Sequence, residues 1–336
     1  MKPSKNDAPI AIIGSGSWGT ALAFKFSLAG RKTLLWGRNK NCLKKMIKNR
    51  ENKKYLPNVK LPESLIIETC FEKCIDEATD ILVATPSHAF RHIISLLKKK
   101  LTKEHRICWA TKGFESQTGK LPHQIIEELL GTKNSMAVLS GPSFAVEVGR
   151  KLPTAVTIAS NNKAFSQDLA TSLSDEHFRA YTAEDITGVE VGGATKNVVA
   201  IGAGISDGLG FGKNARIALI NRGLAEMTRL GVALGASKET FMGLSGMGDL
   251  VLTCTSDTSR NRQMGLALAK GKTIKEAQQD IQQVVEGLYA AEAVWKLANE
   301  IEIEMPICKA VYKILYKNIS PREAAQSLML REIRTE

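Results

Sequence analysis

Between residues 14 and 19 the chain reads Gly14-Ser15-Gly16-Ser17-Trp18-Gly19, three glycines at G-x-G-x-x-G spacing. They follow the apolar run Ile10-Ala11-Ile12-Ile13 and open a helical pattern near 18–28. In that setting Gly14 permits a tight turn, Gly16 lets backbone approach a pyrophosphate, and Gly19 allows close helix–strand packing. Unpaired N–H groups and the helix dipole favour an anion at such a helix start. The spacing points to a dinucleotide, with a purely structural glycine turn as the alternative. Sites for NAD usually carry an acid about 20 residues further on, yet no acidic residue lies between Asp7 and Glu51. Arg38, just past the run Thr33-Leu34-Leu35-Trp36, stands where that carboxylate would be. A guanidinium pairs bidentately with phosphate, so Arg38 suits the 2′-phosphate of NADP; otherwise it is an ordinary surface arginine.

Five further clusters combine polar groups with small residues. Thr111-Lys112-Gly113-Phe114-Glu115 follows the run 107–110, and Ser140-Gly141-Pro142-Ser143-Phe144-Ala145 follows 136–139. Ligands of open α/β sheets sit at the carboxyl ends of strands. Lys196-Asn197 is expected to begin the first long helix of the chain's second half, among small apolar residues where a lysine has no packing role unless it snorkels to the surface. Gly246-Met247-Gly248-Asp249-Leu250 is read as a polar loop leading into Ser259-Arg260-Asn261-Arg262, whose forked donors suit a phosphate. In Val284-Val285-Glu286-Gly287, Glu286 is either a ligand contact or a helix-start carboxylate.

The elements that must position these residues follow from length and patterning. At 336 residues the chain is long enough for two domains. With 43% hydrophobic and 24% charged residues it can bury a core, which excludes a disordered tail, a collagen-like fibre and a disulfide miniprotein. The longest uncharged stretch, 8–24, is interrupted by glycines, and no secretory signal is evident, so a soluble, intracellular protein is expected. Six scattered cysteines with no Cys-x-x-Cys pair read as free, buried thiols, and no metal site is expected. Of the net charge of +12, residues 31–60 carry eleven Lys or Arg against the single acid Glu51. Because that block starts at the Arg38 strand, an anionic cofactor accounts for its beginning better than nucleic acid, for which no binding signature is present. The later lysines, 44 to 54, read as a solvated helix face.

From residue 9 to about 181, apolar runs at 10–13, 33–36, 66–67, 81–84, 107–110, 136–139 and 155–158 alternate with helical segments. Continuous runs of this kind indicate a parallel sheet covered on both faces, the pattern of a doubly wound α/β domain. Beyond residue 186, helical spacing prevails, roughly at 193–205, 214–234, 262–270, 286–300 and 306–316. The expected domains are therefore 1–189, dinucleotide-binding, and 190–336, all-helical and carrying the substrate chemistry. They are expected to pack closely, with ligands in the seam.

These motifs together resemble, over nearly the full length, the bacterial-type NAD(P)-dependent sn-glycerol-3-phosphate dehydrogenases. The resemblance is carried by residues 16–23, Tyr55-Leu56-Pro57, 111–115, 139–145, 192–200, 246–250, Ser259-Arg260-Asn261 and 283–287. It departs at Ser15, where Ala is common, and at Asn58, where Gly often follows Tyr-Leu-Pro. The resemblance implies a Rossmann-type α/β N-terminal domain followed by an all-α C-terminal domain. It implies that Ser17, Trp18, Arg38, Lys112, Ala145, Arg260, Val284 and Glu286 touch the cofactor, NADP or NAD; a preference for NADPH is expected from Arg38 and the missing acid. Lys112, Gly141, Ser143, Asp249, Ser259, Arg260 and Asn261 would contact the substrate, with Lys196 as the acid/base residue. The implied activity interconverts dihydroxyacetone phosphate and sn-glycerol 3-phosphate in the cytoplasm, supplying phospholipid synthesis. An ammonium can stabilise and protonate the ketone oxygen. Desolvation and the neighbouring Lys112 would lower the pKa of Lys196, while Asp249 would oppose the fall and orient the side chain. A homodimer is the assembly to test.

Overall fold

The computed structural model describes residues 8–332. The first part of the chain alternates β1 (Ile10–Ile13), α1 (Ser17–Leu28), β2 (Thr33–Trp36), α2 (Lys40–Asn49), the short β3 (Glu51–Asn52) and β4 (Leu56–Lys60), then β5 (Ile66–Glu68), α3 (Phe71–Asp76), β6 (Asp80–Val83), α4 (Ser87–Lys98) and β7 (Arg106–Trp109). It continues through α5 (Pro122–Leu130), β8 (Met136–Ser140), α6 (Ala145–Gly149), β9 (Thr154–Ser160), α7 (Lys163–Leu173) and β10 (Phe178–Ala183). The chain divides into two compact units. One runs to Thr111 and resumes at Pro122–Val189; the other comprises Lys112–Leu121 and everything from Glu190.

The first unit is a doubly wound sheet of order β10-β9-β8-β7-β6-β1-β2-β5. Side chains alternate between its faces, so the central strands feed two cores. Ile10 and Ile12 of β1 join Phe24 and Phe26 of α1, whereas Ala11 and Ile13 join Phe90 of α4 and Trp109. Two strands depart from the expected parallel sheet: β9 runs antiparallel to β8, and β10, pairing parallel to β9, shares the reversed direction. A continuous apolar run records burial on both faces but not direction, which is why this reversal was not legible. The edge strand β10 and the β3–β4 hairpin were also not expected. In β10 (Phe-Arg-Ala-Tyr-Thr-Ala) only Phe178 is buried, and Arg179 and Thr182 interrupt the apolar residues, so no continuous apolar signal is left. The hairpin ends the lysine-rich helix at Asn49, so Lys53 and Lys54 lie in its turn rather than on a helix face. Asn58 takes a left-handed backbone, φ +63°, which an Asn tolerates. Cys74, Cys108, Cys254 and Cys308 are buried free thiols, but Cys70 is exposed and Cys42 half-buried.

The second unit, among the described residues, is helical. It contains most of α8 (Ile186–Gly208), then α9 (Gly212–Ala233), a 3-10 turn at Lys238–Met242, a π turn at Leu244–Gly248, α10 (Asp249–Thr255), α11 (Arg260–Ala269), α12 (Ile274–Ile281), α13 (Glu286–Glu300), α14 (Pro306–Tyr316) and α15 (Pro321–Met329). Two expectations change here. Lys196 lies in the middle of α8 rather than at its start, because Gly192 and its small neighbours serve close packing rather than a helix break. A Cβ at Gly192 would lie 2.5 Å from the Ser245 carbonyl oxygen. The segment read as a polar loop, 246–250, is instead wound into the π turn and the first residues of α10, both against α8. No helix among the described residues is long and apolar enough to cross a membrane.

Candidate active site

The site residues fall into two groups, one in each unit. In the first unit, Gly14 has φ +128° and follows β1 directly; a Cβ there would lie 2.4 Å from the Ala84 carbonyl oxygen. A Cβ at Gly19 would lie 1.9 Å from the Gly14 oxygen, so only glycine lets α1 start this close to the strand. Gly16 is the N-cap of α1, whose first turn includes Ser17 and Trp18, and no side chain caps it. Space beside Gly16 is open, with nothing within 4 Å of a built Cβ. An uncapped twelve-residue helix with open space at its start, at the point where the strand order turns from β6 to β2 across β1, is suited to a dinucleotide pyrophosphate. Arg38 is exposed immediately after β2, with no hydrogen bond or ion pair among the described residues. At the carboxyl end of β8, Gly141 has φ +145°, and the Ser143 hydroxyl donates to its carbonyl oxygen at 3.0 Å. Ala145 begins α6.

The second group is built on α8, α10, α11 and α13 with the segment after β7. Lys196, 7% exposed, donates through Nζ to Asp249 Oδ1 at 2.7 Å and to Thr253 Oγ1 at 2.9 Å. Lys112 Nζ donates to the other carboxylate oxygen, Oδ2, also at 2.7 Å. The Thr253 hydroxyl gives its own proton to the Asp249 carbonyl oxygen at 2.6 Å, so it must accept from Lys196. Two of the three ammonium hydrogens are thereby directed, and the third has no partner among the described residues.

Burial lowers the Lys196 pKa to about 8; Asp249 opposes the fall, and Lys112 adds to it. For Asp249 burial acts to raise the carboxyl, but the Lys112 and Lys196 ammoniums outweigh it and hold it below its usual value. The result is a buried lysine poised to exchange a proton near neutral pH.

Beside this cluster, Asn261 donates to Asn197 Oδ1 at 2.9 Å and accepts from the Gly287 N–H at 2.9 Å. Asn197 in turn donates to Glu286 Oε2 at 3.3 Å. Ser259 caps α11 by accepting from the Arg262 N–H, and Arg260 Nη1 donates to the Val284 carbonyl at 2.8 Å. Lys112, Lys196 and Asp249 therefore meet, and Ser259, Arg260, Asn261, Val284 and Glu286 form an adjoining chain. Thr253 and Asn197 hydrogen-bond to these residues, and sequence reasoning gave neither a role. Thr253 follows Asp249 by four residues, one helical turn, which was a usable signal once 249–255 was known to be helical.

A family model described as NAD-dependent glycerol-3-phosphate dehydrogenase N-terminus matches residues 9–166, and that of the C-terminus matches 185–326. Glycerol-3-phosphate dehydrogenase (NAD(P)+) of Psychromonas ingrahamii is 50% identical, covering 97% of this chain and 98% of its own length. The Pasteurella multocida protein of the same name is 48% identical over 100% of both. The crystal structure of glycerol-3-phosphate dehydrogenase from Coxiella burnetii matches with a TM-score of 0.94 at 46% identity, covering 97% of this chain and 99% of that one. With both halves matched and the relatives aligned along nearly their whole length, the chain belongs to the NAD-dependent glycerol-3-phosphate dehydrogenase family.

Proposed function

We propose that this protein interconverts dihydroxyacetone phosphate and sn-glycerol 3-phosphate with NAD(P)H, supplying the glycerol backbone of phospholipids. The observation that carries the reading is the buried Lys196–Asp249–Lys112 cluster with one ammonium hydrogen undirected. The dinucleotide, when bound, supplies the hydride. Lys196 stabilises the charge that develops on the ketone oxygen and then protonates it. Asp249 and Thr253 fix the direction of that proton, and Lys112 adds positive potential. Ser259, Arg260 and the second amide hydrogen of Asn261 take the phosphate, whose remote binding energy positions the ketone. Gly141 and Ser143 contribute to the substrate side. Ala145, Val284 and Glu286 contribute to the cofactor side, together with Ser17, Trp18 and Arg38. In this reading residues 1–189 bind the dinucleotide and 190–336 carry the catalysis, with Lys112 contributed to the second. The enzyme is cytoplasmic, and a homodimer is the assembly to look for by sedimentation. NADPH oxidation on adding dihydroxyacetone phosphate, and not on adding 2-oxo acids, is the expected result; the reverse pattern excludes this substrate.

Cofactor preference follows from Arg38. With an exposed guanidinium and no acid at the end of β2, the 2′-phosphate gains a charge-assisted bond of roughly 1.5–3 kcal/mol, reduced by screening. NADPH is thus preferred without exclusion of NADH. Arg38→Asp should reverse the preference, because the new carboxylate repels the phosphate and accepts from the ribose hydroxyl. An unchanged ratio of kcat/KM for the two cofactors places the choice elsewhere in the basic block.

A further inference from the structure

The Tyr55-Leu56-Pro57 motif and the hairpin around it take no part in the chemistry above, yet one side chain of that hairpin reaches the glycine loop. Asn52, 4% exposed, donates both hydrogens of its amide, one to the Ser15 carbonyl oxygen of the loop at 3.0 Å and one to Thr20 Oγ1 in the first turns of α1 at 2.8 Å. Its Oδ1 accepts from the Tyr55 N–H at 3.3 Å, so the whole amide is engaged. The hairpin is anchored firmly enough to aim it. Leu56, opposite Asn52 in the β3–β4 register, and Val59 are both buried in the core under α1. Glu51, the one acid of the basic block, accepts from the Asn58 N–H at 3.0 Å and ties the two strands together.

From this geometry we propose that Asn52 is a positioning residue for dinucleotide binding, setting the direction of the loop's backbone donor. Peptide units are planar and trans, so the Ser15 carbonyl and the Gly16 N–H point in opposite directions. Holding the Ser15 oxygen from the hairpin side turns the Gly16 N–H to the other side of the loop. A Gly-rich loop loses much entropy on ordering, and the N-cap Gly16 has no side chain to fix itself. The Gly14 N–H donates to the Trp36 carbonyl at 2.8 Å and the Gly16 carbonyl accepts from the Thr20 N–H at 2.9 Å, and the Asn52 amide holds the Ser15 peptide between them. The Tyr-Leu-Pro segment thus serves to aim Asn52, and the ligand feature involved is the pyrophosphate shared by NADPH and NADH. This inference rests on the dinucleotide reading of the loop.

The test is the Kd of NADPH and of NADH, each measured by quenching of tryptophan fluorescence, in wild type, Asn52→Ala and Thr20→Val. Loss of two buried hydrogen bonds, one to the loop and one to the start of α1, should raise both constants about tenfold and leave their ratio unchanged. The kcat at saturating NADPH and the KM for dihydroxyacetone phosphate should stay within about twofold. Thr20→Val removes one of the two acceptors and should give a smaller rise of the same kind; it also decides the matter if Asn52→Ala does not fold. Unchanged Kd values with a lowered Tm would reduce Asn52 to a packing role, and a loss confined to NADPH would mean that the 2′-phosphate rather than the pyrophosphate is affected. Either result overturns the inference. A wild-type protein that binds neither dinucleotide overturns the functional reading itself, which the variants alone do not.

Discussion

Lys196→Ala should lower kcat for dihydroxyacetone phosphate reduction by about 10²–10⁴-fold, the usual contribution of a positioned acid, while NADPH binding stays nearly intact. The side chain is buried on α8 with its ammonium directed by Asp249 and Thr253, and the proposed target is the substrate oxygen, not the dinucleotide. The pH dependence gives a second readout. Reduction of the ketone needs Lys196 protonated, so kcat/KM should fall as pH rises through about 8. Oxidation of glycerol phosphate needs the neutral amine and should rise over the same interval. Both limbs should vanish in the variant. Turnover like that of wild type in a folded Lys196→Ala protein would remove Lys196 from the mechanism.

Asp249→Asn is expected to be almost as damaging for a different reason. One carboxylate, 2% exposed, serves two ammoniums, each at 2.7 Å. An amide offers a single acceptor and turns its own NH2 toward the second lysine. Removing one partner from a buried ion pair typically costs about 3–5 kcal/mol, which the cluster can relieve by giving up a proton. Asp249 opposes the lowering of the Lys196 pKa more strongly than Glu286 does, so its loss moves that pKa further down. At neutral pH the variant should therefore have a lower Tm and a much lower rate of reduction, with the falling limb displaced to more acid pH. A limb that stays near pH 8 would show that Asp249 does not govern the proton on Lys196. The rate alone could not decide this, since a merely misfolded site also loses activity.

Much of the fold was readable in the chain because the relevant interactions are local. The glycine spacing at 14–19 specifies a loop conformation within six residues, and continuous apolar runs specify strands buried on both faces. Glu286 begins α13 as its composition indicates, since a carboxylate in a first turn is favoured by the helix dipole. Lys196 stands out in the chain because a lysine among glycines, alanines and valines has no packing role. Its position in the middle of α8 was missed, because a glycine-rich stretch reads as a break unless the backbone packed against it is known.

What only the tertiary structure decided are the contacts that sequence distance hides. Lys196 meets Asp249 across 53 residues, Lys112 reaches the same carboxylate across 137, and Asn52 holds Thr20 across 32. No periodicity carries such pairings, and neither does it carry the direction of β9, whose apolar run is equally compatible with either orientation. The residue types announced which chemistry was available, a cation beside small residues and donors at a helix start. The strength of that chemistry, a lysine brought to about pKa 8, comes from burial and from the Lys112 charge, against the opposing pull of Asp249, all delivered by distant parts of the chain. Composition supplies the groups, whereas the low-dielectric setting that perturbs them exists only once the chain has folded around them.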